Sequence, residues 1–143
     1  MMLRKIVQTG SSWTMVPLRL TLGIDFIGHG LQKVLGTFNG PGLGKFTSFP
    51  APFPFMRPGW LWMGAAAVSE LVGGILVLLG LFTRVGAFLI TFIMIVAIVG
   101  VHWPNFFAPA GMELAVAMLG MSLALLIGGG GQLSVDRMIS GGR

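Results

Sequence analysis

Apolar residues gather into long uninterrupted stretches, and polar residues fall mostly between them. Runs near the roughly 20 residues that cross a hydrocarbon core occupy about 15–35, 60–81, 85–103 and 111–127. They predict four helices. The breaks are chemically clear: Gly36 to Pro58 alternates Phe with Gly and Pro, Thr83 and Arg84 form a short polar step, and Pro104 and Pro109 frame the third. The first break is long, and its composition predicts an extended loop lying along a membrane interface.

Composition strengthens this pattern. Residues of the AVILMFWYC set make up 55% of the 143 residues, whereas DEKR make up 9%. A soluble domain carries about 25% charged residues, so this chain predicts an all-α, integral membrane four-helix bundle in one domain, 1–143. Cysteine is absent, which excludes disulfide scaffolds, thiolate metal sites and iron–sulfur clusters. The net charge of +5 comes from scattered residues without a basic stripe, so nucleic acid is not an expected partner.

Four spans place both termini on one side. Arg4, Lys5, Arg84, Arg137 and Arg143 fall on that side, against Lys33, Lys45 and Arg57 on the other. The bias predicts cytoplasmic termini in a multi-pass protein of the cytoplasmic (inner) membrane. The first apolar stretch carries Arg19 and Asp25 and no cleavage site of the usual kind, so it reads as a retained helix. Pairs of small residues four apart, Ser69/Gly73, Gly120/Ala124 and Ala124/Gly128, permit close helix approach.

Ionisable residues inside the apolar runs carry the functional information, because each costs several kcal/mol in hydrocarbon unless paired or hydrated. They are Arg19, Asp25, His29, Lys33, Glu70, His102 and Glu113. Asp25, His29 and Lys33 step by four residues, which predicts one helix face turned into the bundle. Glu70 matches the depth of Asp25 and calls for a proton or a cation. Arg19 lies near the start of the first run, from which its long side chain reaches lipid headgroups. Asp25, His29, Lys33, Glu70, His102 and Glu113 together predict a polar pocket for a small molecule, a quinone headgroup or protons in transit.

A buried polar network that only fixes helix register accounts for the same residues, as does a small transporter. His29 and His102 have the chemistry of haem ligands, but no Glu-x-x-His pair of a di-iron bundle occurs, so no metal is assigned. Ten methionines are spread along the chain as packing filler. Trp13, Trp60, Trp62 and Trp103 read as interface anchors.

The ordered set Arg19-Leu20-x-Leu22-Gly23, Ile27-Gly28-His29-Gly30-x2-Lys33-x2-Gly36, Glu70-x2-Gly73-Gly74-x5-Gly80-Leu81-x-Thr83-Arg84, then His102, Glu113 and a Gly-rich turn with Asp136 resembles the DoxX family. The resemblance runs from about Val16 to Asp136. It implies a small four-helix protein of the bacterial or archaeal cytoplasmic membrane that accompanies quinone-linked redox enzymes. The matched polar positions are Arg19, His29, Lys33, Glu70, Arg84, His102 and Glu113; Asp25 stands outside the pattern. With no flavin or nucleotide fingerprint, the chain has no evident cofactor of its own. The expectation is therefore an accessory subunit, at most a quinone-binding rather than a catalytic one. Its expected partners are membrane lipid, a redox enzyme or a second copy of itself.

Overall fold

The computed structural model describes residues 7–107, 109 and 111–141. Arg4, Lys5 and Arg143, used above for orientation, lie outside them. The described residues form helices and no strand: α1 (Met15–Val34), α2 (Gly42–Thr47), α3 (Gly59–Leu79), α4 (Thr83–Ala97, prolonged by a π-helical turn, Ile98–His102), α5 (Glu113–Gly128) and α6 (Val135–Ile139). The four longer helices coincide with the four apolar runs to within about two residues at most ends. α1 packs on α3, α3 on α4, α4 on α5, and α1 meets α5.

Two stretches, Gly59–Leu79 and Thr83–His102, are long and apolar enough to cross a membrane, and only 28% of each is buried within the protein. Their outward faces carry Leu61, Val68, Val72, Ile75, Phe88, Phe92, Ile95 and Val99. A helix in the core of a soluble protein hides such residues. α1 is interrupted by Arg19, Asp25 and Lys33, and α5 is shorter.

The inward stripes meet in one core: Leu22 and Phe26 of α1, Val77 of α3, Ala87, Ile90 and Met94 of α4, and Ala115, Met118 and Leu125 of α5. Glycines set the register of the α1–α3 pair. A Cβ on Gly30 would sit 2.5 Å from Leu71 Cα, one on Gly23 2.8 Å from Leu78 Cα, and one on Gly74 2.7 Å from the Ile27 amide. The two helices therefore run antiparallel with backbones in contact, as small residues allow. Of the small-residue pairs singled out in sequence, Gly73 meets Gly86 of α4, while Gly120 faces open space and brings no helix close.

Helix ends follow their local chemistry. Gly80, at φ +66°, ends α3 in the left-handed region, and Leu81 N–H returns to Leu76 O at 3.0 Å. The start of α4 is capped from a distance. Asp136 of α6, fully buried, accepts hydrogen bonds from Phe82 N–H (2.7 Å), Thr83 N–H (2.8 Å) and Thr83 Oγ1–H (2.7 Å), which pairs a carboxylate with the positive end of the helix. The connection predicted to be extended contains the short helix α2. Its prolines fall outside Gly42–Thr47, and the Thr47 hydroxyl donates to Leu43 O and Gly44 O.

Candidate functional site

One turn beyond the Gly30–Leu71 contact, the same register brings the last turn of α1 level with the middle of α3. Lys33 Nζ donates to both oxygens of Glu70, at 2.6 Å and 2.5 Å. The Glu70 side chain is 5% exposed and that of Lys33 22%. Glu70 thus has the cation its depth demands, supplied by α1. Lys33 Nζ also lies 5.3 Å from the centroid of Phe46 at α2, so the short helix closes over the ion pair.

This pair lines a cavity of about 740 Å³, within the usual size of small-molecule sites. Trp62, Met63, Ala66 and Ser69 come from α3, and Leu89, Phe92, Ile93 and Val96 from α4, both sets recurring at helical spacing. Phe46, Phe49, Pro52 and Met56 of the long connection form its cover, and His102 lines it from the π-helical turn. A Cβ on Gly100 would lie 2.7 Å from Pro52, so the bare backbone there lets the connection fold down. The result is an apolar slot with an ion pair and an imidazole in its wall.

Three of the six predicted pocket residues, Lys33, Glu70 and His102, line this cavity. Asp25, His29 and Glu113 do not. Asp25 and His29 stay on the flank of α1, with His29 Nε2 3.8 Å from Asp25 Oδ2 and side chains 44% and 36% exposed. The reason is geometric: a four-residue step turns a helix by about 40° beyond one full turn, so Asp25 and Lys33 differ by about 80° and only Lys33 faces α3. Glu113 is exposed in the first turn of α5, where an acidic side chain suits the helix end. Among the described residues no three His, Asp or Glu side chains gather as a metal site would require.

One further expectation needs correction. Arg19 does not reach outward; it is buried and donates to the carbonyls of Gly130 (2.9 Å), Gln132 (3.4 Å) and Leu133 (3.1 Å). Carbonyls past the end of α5 have no helical donors, and a guanidinium with several N–H groups serves them together. Trp62, read as an interface anchor, is 39% exposed and also forms part of the cavity wall. Sequence reasoning also missed the aromatic cover from the connection, for which the only signal was the recurrence of Phe among prolines. It missed the Thr91 Oγ1 to Ser122 Oγ hydrogen bond (2.9 Å) that ties α4 to α5. Arg84 donates to Leu126 O at 2.5 Å and, with Arg19 and Asp136, belongs to the scaffold at the opposite end from the cavity.

A model of the DoxX family matches residues 14–103. That segment contains every residue lining the cavity, while Glu113 and Asp136, included in the resemblance read from sequence, lie beyond it. No curated protein and no solved structure gives a match.

Proposed function

The chain belongs to the DoxX family, and from that premise we propose that it is a membrane-embedded accessory subunit of a quinone-linked redox assembly, holding a quinone or a similar lipid-soluble molecule between α3 and α4. One observation carries the reading: an apolar cavity of about 740 Å³ whose ionic groups are the Lys33–Glu70 pair, with His102 also in its wall. All four long helices cross the membrane in this reading, since α3 and α4 present apolar faces outward and α1 packs along α3 in antiparallel register. The end carrying the α3–α4 turn faces the cytoplasm, following the positive charge near the helix ends.

The residues fit the ligand class. A quinone is a flat ring with two carbonyl acceptors on a long apolar tail, and when bound it supplies two-electron, two-proton chemistry. Lys33 Nζ–H and His102 N–H can donate to a carbonyl oxygen, and a Glu70 oxygen can hold a proton. Phe46, Trp62 and Phe92 supply flat apolar surface for the ring and exclude water. With no cysteine and no three metal-binding side chains together among the described residues, the chain is assigned binding and proton handling, and electrons pass to a partner enzyme.

The test is titration of a short-chain quinone into the protein in lipid nanodiscs, read by tryptophan fluorescence, since Trp62 lines the cavity. Saturable quenching that is lost in Ala66→Trp, which fills the slot, supports the reading. Quenching of the same size and concentration dependence in Ala66→Trp overturns it.

A further inference from the structure

α1 has a second, polar stripe on the side turned away from the core. Its bundle-facing side is Arg19, Leu22, Gly23, Phe26 and Gly30. On the other side Thr21, Asp25, Gly28 and Gln32 recur at spacings of four, three and four, the seam of a helix pair. Thr21 is exposed, Asp25 is half-buried, and a Cβ on Gly28 would meet nothing within 4 Å, whereas Gln32 at the end of the stripe is packed against Gly40 of the connection. His29 stands beside them, 44% exposed. The Asp25 side chain is 36% exposed, although its Oδ2 is itself buried and has no hydrogen-bond partner among the described residues.

Asp25 lies halfway along Met15–Val34, about 15 Å from either end by the helical rise. If α1 spans the membrane, as proposed above, that is the bilayer centre. Lipid offers a carboxyl group and an imidazole no hydrogen bonds there, so such groups turn toward protein or water. Neighbouring outward residues, Leu20 and Ile24, are plainly apolar, so the polar stripe is a bounded seam.

We propose that two copies of this chain pair through this face of α1, about a two-fold axis parallel to the helix. The stripe carries its own complement, as an isologous interface requires. Asp25 supplies acceptors and His29, one turn away, supplies a donor, so each copy's imidazole meets the other's carboxyl group. Gly28 lets the backbones approach. This pairing uses the side of α1 turned away from α3, so it leaves the cavity free.

The absence of cysteine permits a direct test. Single-cysteine variants Thr21→Cys and Gly28→Cys, with Val72→Cys and Phe88→Cys as outward-facing controls on α3 and α4, are oxidised in native membranes with copper phenanthroline. The pairing predicts disulfide-linked dimers at one or both α1 positions, at least fivefold more than in the controls. Adding Asp25→Leu should weaken self-association roughly tenfold, the size of one or two interhelical hydrogen bonds in lipid. A membrane-impermeant maleimide separates two kinds of failure. Protected thiols that do not cross-link overturn the pairing and leave the spanning reading intact. Labelling of Thr21→Cys shows that α1 does not span, and the pairing falls with it. Cross-linking to a different protein, identified by mass spectrometry, overturns the second copy as occupant.

Discussion

Removing either member of the Lys33–Glu70 pair should cost far more than removing both. The Glu70 side chain is 5% exposed and Lys33 22%, so each single variant strands a charge in a poorly solvated site. Losing one partner of a buried pair costs about 3–5 kcal/mol, whereas replacing both with apolar groups of similar volume is close to neutral. Lys33→Met leaves the more buried group behind and should cost about 3–4 kcal/mol. Glu70→Leu leaves an ammonium that can swing partly into solvent, so about 2–3 kcal/mol is expected on the same basis. The double variant should lose no more than about 1 kcal/mol, giving a coupling of about 4–7 kcal/mol, larger than most pairs in contact. Unfolding in mild detergent titrated with SDS, followed by circular dichroism, measures all four corners of the cycle. Additive losses, with the double variant as unstable as the sum of the singles, would refute the pairing and with it the polar end of the cavity.

Other substitutions probe separate links. Gly30→Val should destabilise by about 1–3 kcal/mol because backbone, not a movable side chain, faces it; in that background Lys33→Met should cost less, since the register that makes the pair is disturbed, whereas Gly120→Val, which faces open space, should stay within about 0.5 kcal/mol of the parent. The same detergent unfolding reads all three. Asp136→Ala should lower stability by about 2–4 kcal/mol through loss of three hydrogen bonds at the start of α4, and Asp136→Asn by less, as it keeps one acceptor; equal losses would show that the carboxylate charge contributes nothing.

The helices are legible in sequence because lipid-facing and core-facing positions are both apolar, so whole runs stand out against Gly, Pro and charge. Which face of a run turns inward is not marked in that way. Asp25 and Lys33 look equivalent in a four-residue row, and only the Gly23, Gly30 and Gly74 contacts with α3 decide that Lys33 points in. Glu70 is readable as a buried acid in need of a cation, but its partner depends on that same register. The cavity itself is long-range: it exists because the Phe- and Pro-rich connection folds back over α3 and α4, and no local pattern states where such a segment lies. Arg19 is a comparable case, since its carbonyl partners follow it in sequence by more than a hundred residues.

In the proposed function, the slot between α3 and α4 holds a quinone-like molecule. Its most direct test is mass spectrometry of the small molecules retained when the wild-type chain and Ala66→Trp are purified from native membranes in mild detergent. A quinone at near one per chain is expected in the wild type, and its loss in Ala66→Trp, with phospholipid unchanged. Phospholipid alone in both preparations would contradict it and leave the ion pair as part of the scaffold.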